Sequence, residues 1–212
     1  MPRVTLAQMD AQVLHRIEEN SLFYSQSERY NAINENLRIL QCYTGWYQQT
    51  VPMPTLSIAG RTIYDIPASI IVPLNVRFDL RSLEKSSLDS SAYSSRDVLT
   101  KANSAPRYWI PMGLRKFIMS PGDSIGGRFM EVTGIAEVPQ LVNSTDAFTL
   151  SDEFADLVED GSYLSLVLKE GGKVLADAMR DVLPGWKSKL RELSRWETMK
   201  NPNLVKEMVS TR

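Results

Sequence analysis

The chain has 212 residues and carries 24 Lys and Arg against 25 Asp and Glu, a formal net charge of −1. That length suits one domain, or one domain with a small insert, and buries roughly 70% of its unfolded surface without a disulfide or metal staple. A near-neutral balance leaves no electrostatic footprint for tight binding to nucleic acid or anionic lipid, although such a chain can line a channel through which DNA slides without sticking. One histidine, His15, and one cysteine, Cys42, exclude most zinc sites and Cys/His nucleophile pairs by arithmetic. Enzymes built on carboxylates, Lys or Ser stay open. The apolar runs are too short to cross a bilayer, the first residues lack a charged-then-apolar leader, and a single cysteine points to a reducing compartment. The expectation is a cytosolic protein with no membrane partner.

Thr5 and Gln8 make a capping box that opens a helix over 6–20, with Leu6, Met9, Val13 and Ile17 at helical spacing. His15 falls off that stripe and is expected on the solvated rim. A second capping box, Ser25 and Glu28, opens a helix with Tyr30, Ile33, Leu37, Leu40 and Thr44 as its seam. Cys42, beside the aromatic patch Tyr43, Trp46 and Tyr47, is expected to be a small buried hydrophobe rather than a reactive thiol.

From Val51 the period changes to alternation. Leu56 and Ile58, the turn Ala59-Gly60, and Ile63, Tyr64 and Ile66 predict a β-hairpin. The stretch 70–80 predicts a strand apolar at Val72, Leu74, Val76, Phe78 and Leu80. Eight of the residues from Ser82 to Ser104 are serine, so 82–105 is expected to be a mobile excursion holding a short helix or two. Strands resume at 107–110, 116–119 and 128–138, with turns at Met112-Gly113 and Pro121-Gly122-Asp123. The stretch 140–148 is extended and polar.

Thr149 and Asp152 predict the cap of a third helix, with Phe154, Leu157, Val158, Gly161, Leu164, Ser165 and Leu168 facing inward and Gly171-Gly172 ending it. A fourth helix from about Lys173 shows Leu175, Met179, Val182, Trp186, Leu190 and Leu193, with Pro184 placed to kink or split it. The fold class expected is α+β: an antiparallel four-helix bundle of two N-terminal and two C-terminal helices, with an inserted, mostly antiparallel β-sheet platform. The corresponding segments are 1–50, 51–148 with the excursion 82–105, 149–200, and an extended tail 201–212.

Few motifs suggest chemistry. Pro121-Gly122-Asp123-Ser124-Ile125-Gly126-Gly127 looks like the GDSGG around a protease serine, but Ile125 breaks that spacing and His15 is the only imidazole available as a base. A sheet turn needs the same residues anyway. The same glycines are followed by no Gly-Lys-Ser/Thr and open no helix, which removes a phosphate loop. Asp152, Glu153, Asp156, Glu159 and Asp160 spread around the polar side of a helix and are expected to be a solvated or interface face, not a metal site. Lys187, Lys189, Arg191 and Arg195 are expected to be ordinary surface. No catalytic residue, metal or cofactor is expected.

A pattern of short pieces spans nearly the whole chain: Thr5 to Val13, Tyr30-Asn31 followed by Ile33-Asn34-Glu35, Ala59-Gly60 followed by Tyr64-Asp65-Ile66-Pro67, Pro106-Arg107-Tyr108, Ile118 with Pro121, Val138-Pro139, and Leu168-Lys169-Glu170-Gly171. In this order they resemble the head-to-tail adaptor proteins of tailed bacteriophages, among them the tail-tubular A proteins of short-tailed phages and the connector proteins that dock on portals. The resemblance implies a structural virion protein in the neck, assembled in the host cytoplasm. It would form a homo-oligomeric ring, typically of twelve copies, between the portal protein and a downstream tail or nozzle protein, with genomic DNA passing through. Trp186, Trp196 and the tail residues Pro202, Leu204, Val205, Met208 and Arg212 are then candidates for portal docking, because tryptophan anchors interfaces and a polar tail can order on a partner. Leu83, Leu88, Tyr93 and Leu99 in the excursion are candidates for contacts with neighbouring subunits or tail proteins. The alternatives are a tail-completion or terminator protein and a serine hydrolase using Ser124.

Overall fold

A computed structural model of the chain describes residues 4–17, 23–87, 105–113 and 115–200. The chain divides into two compact units, one formed by Met1–Tyr47 and Val138–Arg212, the other by Gln48–Glu137.

In the helical unit, α1 (Leu6–Ile17) and α2 (Gln26–Thr44) both begin at the capping boxes read from the sequence. Gly45, at φ +61°, closes α2 by donating its amide to the Gln41 carbonyl at 2.8 Å. The third helix departs from expectation. No Thr149–Asp152 box forms: a 3-10 turn, Asp152–Phe154, leads into α3 (Ala155–Glu170) without a side-chain cap, and the Asp152 carboxylate instead accepts the amide of Val4 at 3.2 Å. The predicted fourth helix is two, α4 (Gly172–Asp181) and α5 (Leu183–Lys200). Pro184 sits in the first turn of α5, where its missing N–H costs no helical bond.

The chain is α+β, but its helices do not form a four-helix bundle. Helix α3 lies at the centre, touching α1, α2, α4 and α5. Its burial runs around the helix: Leu157, Val158, Asp160, Gly161, Ser162, Leu164, Leu166 and Val167 are all buried. A bundle helix buries one stripe, and the expected α3 stripe fails at Leu168, which is exposed. The core also takes Trp46, Val138, Phe148 and Leu150 from outside the helices.

The sheet unit holds two four-stranded sheets, not one platform. With β1 Gln48–Pro52, β2 Ile63–Asp65, β3 Ile70–Phe78, β4 Arg81–Ser82, β5 Glu84–Lys85, β6 Tyr108–Met112, β7 Lys116–Ser120 and β8 Met130–Ala136, the orders are β1-β8-β3-β4 and β2-β7-β6-β5. All pairings are antiparallel except β5 with β6. The start of the supposed excursion is therefore strand, and it changes sheets: 81–82 pairs with β3 and 84–85 with β6, with Leu83 buried between.

The hairpin expected around Ala59-Gly60 does not form. The strand Ile63–Asp65 pairs with β7, and Ser57 bonds to the backbone of Arg128 and Gly127. Alternation in β3 is broken by register shifts at 70/72 and 73/75. They admit Pro73 to the strand and place it opposite Gly134, where a Cβ would strike the Val72 carbonyl.

Candidate interaction surfaces

The Ser124 turn is a structural clamp. Asp123, 1% exposed, accepts the Ser57 hydroxyl at 2.5 Å and the amides of Ile125 and Gly126 at 3.1 and 3.0 Å. Burial pushes this carboxyl up; the Ser57 hydroxyl, the two amides and the Arg128 charge outweigh it and leave the group below the usual carboxylate range. Asp123 is thus engaged by its own loop. Ser124 is exposed on that turn, and His15 is exposed on α1 of the other unit.

The clamp draws three loops together. Gly60 donates to the Asp123 carbonyl, Gly127 to that of Ser57, and Asp79 to that of Phe129, at 2.8, 2.7 and 2.9 Å. Gly126, at φ +80°, fits because a Cβ there would stand 2.8 Å from the Ala59 nitrogen. On this framework Leu56, Ile58, Leu80, Ile125 and Phe129 are all exposed, Leu80 at 71% and Ile125 at 70%. Leu80 was expected to close the inward face of β3. Instead it follows Asp79 in a turn whose φ values are +48° and +64°, which lifts it off the sheet.

A groove of about 510 Å³ opens in the helical unit, lined by Trp46, Leu150, Phe154, Leu193 and Trp196, with Asp152, Glu197 and Lys200 supplying charge. The Trp46 indole N–H is buried and finds no acceptor among the described residues. Trp196 is 41% exposed, edge-on to Phe154, with the Lys200 ammonium 3.8 Å from its ring centroid.

The acidic cluster of α3 is not uniformly solvated. Asp160 is buried, 2.6 Å from the Arg16 guanidinium and 3.4 Å from Lys189, and Glu159 meets Arg16 at 3.1 Å. Among the described residues no group of three His, Cys, Asp or Glu could hold a metal ion, and no helix is long and apolar enough to cross a membrane.

Of the candidate docking residues, Trp186 is half-buried and donates its indole N–H to the Leu157 carbonyl at 3.1 Å, which ties it to its own core. Trp196 lines the groove, and Leu83 is buried in the sheet unit. Leu88, Tyr93, Leu99, Pro202, Leu204, Val205, Met208 and Arg212 lie outside the described residues. Cys42 is exposed, contrary to expectation.

Sequence reasoning missed the buried amides of α2. Asn34 exchanges two hydrogen bonds with the backbone of Leu141, and Gln41 two with that of Tyr47. The available signal was an amide next to each apolar seam position (Ile33-Asn34 and Leu40-Gln41), where a solvated helix needs none.

No protein-family model matches the chain, and a search of curated proteins finds no match either.

Proposed function

We propose that the protein is a non-enzymatic structural adaptor of a phage neck, a ring that joins the portal vertex to the tail and lets the genome pass. The observation that carries this reading is where the unsatisfied groups lie. The sequence's best catalytic candidate is a turn whose carboxylate is consumed by its own loop, whereas large apolar side chains stand exposed on both units. Exposed apolar surface gathered on rigid elements is what docking needs and what a free monomer avoids. In the helical unit the exposed groups include Trp196 and, at 79% exposure, Met199, both just before the segment 201–212. The resemblance supplies the partners, and a net charge of −1 suits a channel wall that does not grip DNA.

Electron microscopy of the protein mixed with its cognate portal tests the reading: a ring seated on the portal supports it, and a portal left bare favours the tail-completion or terminator alternative. Removing residues 200–212 should abolish portal capture in a pull-down; undiminished capture takes the tail out of the interface. Labelling of Ser124 by a fluorophosphonate probe would overturn the non-enzymatic assignment.

A further inference from the structure

We propose that two surfaces of this chain are the halves of one interface between copies: the loop tips carrying Leu80 and Ile125 on the sheet unit of one copy seat in the Trp46–Trp196 groove on the helical unit of the next. The proposal deepens the ring reading given above and rests on it for closure of the assembly.

The tips are preorganised. Asp123 and Ser57 bind the loops at 57–60 and 123–128 through side-chain and backbone bonds, and the amide of Asp79 secures the third loop to Phe129. Two consecutive non-glycine residues, Asp79 and Leu80, hold left-handed φ values. That conformation is disfavoured for a leucine and persists only where the surroundings enforce it. Here it exposes a large apolar side chain that the strand pattern would otherwise bury. A surface already ordered loses little entropy on docking.

The groove has complementary properties. Its volume, about 510 Å³, lies in the range that receives bulky apolar groups. Trp196 provides its open aromatic wall, Trp46 and Phe154 add only narrow edges, and Thr149, Ser151, Asp152, Glu197 and Lys200 supply a polar lining.

Charge selects this chain as the occupant. Arg61, Arg81 and Arg128 lie on or beside the tip loops in the chain, Arg128 at 3.8 Å from Asp79, while the groove and its adjoining turn carry Asp152, Glu153 and Glu197 against Lys200. The same polarity holds for the whole units. The sheet unit has ten Lys and Arg against eight Asp and Glu, a net of +2, and the helical unit fourteen against seventeen, a net of −3. Tips of one copy on the groove of another therefore bring opposite charges together, whereas tips on tips or groove on groove bring like charges. Two different patches in contact make a head-to-tail interface, the kind that generates rings when the rotation closes.

The test uses the full chain and two variants, Leu80→Asp at the tip and Trp196→Asp in the groove, each checked for an unchanged circular dichroism spectrum. In sedimentation velocity from about 10 µM to about 1 mM, a range that reads weak association, the wild type should self-associate and each variant should do so at least ~10-fold more weakly. An equimolar mixture of the two variants should form a heterodimer and nothing larger, because each supplies the half that the other lacks. A photo-crosslinker at position 80 should join peptides containing 149–154 or 193–200 of another copy, a readout that does not depend on the groove variant folding. Monomers throughout the range, wild-type association by Leu80→Asp, or crosslinks elsewhere would overturn the interface. Portal capture separates the two readings: a wild type that binds portal without self-association sinks this interface and leaves the adaptor role standing, while self-association without portal capture does the reverse.

Discussion

Asn34 on α2 and Leu141 in the segment before α3 are bonded like two residues of a β-ladder. The side-chain amide accepts the Leu141 N–H at 2.8 Å and donates to the Leu141 carbonyl at 2.9 Å. A further bond from the same amide nitrogen returns to the Tyr30 carbonyl of α2 at 2.9 Å. An extended segment thereby satisfies its backbone against a helix that has no free edge to offer. Gln41 does the same for Tyr47 at 2.8 Å in both directions.

Asn34→Ala should therefore destabilise the helical unit by about 2–3 kcal/mol, since two backbone groups lose their partner as well as the amide. Asn34→Leu, which restores bulk but no hydrogen bond, should be no better. Urea unfolding followed by circular dichroism measures both; a loss below ~0.5 kcal/mol would mean that water replaces the clamp.

Arg29 and Asp10 form a two-point ion pair, Nε to Oδ1 at 2.6 Å and Nη2 to Oδ2 at 3.0 Å, and Nη1 reaches the Tyr24 carbonyl at 2.8 Å. Both residues are buried. Asp10→Ala should cost about 3–5 kcal/mol because it strands a guanidinium, whereas replacing both residues by apolar ones of similar size should cost much less. A double-mutant cycle with Asp10→Leu and Arg29→Met tests the difference, and additive losses would refute it.

The Asp123 carboxylate lies below its ordinary range in the folded chain, so its contribution to stability is complete above the unfolded value of about 3.9. It is lost as the pH falls through the lower folded value. Asp123→Asn should remove about 1–3 kcal/mol at neutral pH. It should also flatten the fall in stability below about pH 4 relative to the wild type. Thermal melts of both proteins between pH 2.5 and 7 (a range set by the ordinary carboxylate value) report the effect. Parallel profiles would show that Asp123 does not carry it.

Gly161 lies where α3 meets α2, and a Cβ there would collide with the Asn36 amide. Asn36 in turn donates to the Leu157 and Val158 carbonyls at 3.3 and 3.0 Å. Gly161→Ala should cost about 1–3 kcal/mol despite the better helix propensity of alanine. Asn36→Ala in the same chain should return part of the clash energy, giving a coupling that calorimetry can resolve; strict additivity would mean that the helices simply move apart.

Local chemistry was readable from the residues. Both capping boxes of α1 and α2, their apolar stripes, the Gly171 stop and the break at Pro184 follow from side chains within a turn or two of each other, and the helices form where those signals stand. Strands β6, β7 and β8 were legible for the same reason. The central place of α3 was not, because a helix buried on most of its sides carries no single stripe to announce its neighbours. Nor was the assignment of strands to two sheets, which pair residues as far apart as Gln48 and Ile135, or the change of sheet at Leu83. The candidate surfaces divide in the same way. A Pro-Gly-Asp-Ser turn is visible in the chain, but that it gathers Ile58, Leu80, Ile125 and Phe129 on one framework depends on loops that meet only after folding. Periodicity and capping act over a few residues and survive in a one-dimensional record, whereas packing, register and the pairing of buried polar groups depend on long-range contacts that the record does not contain.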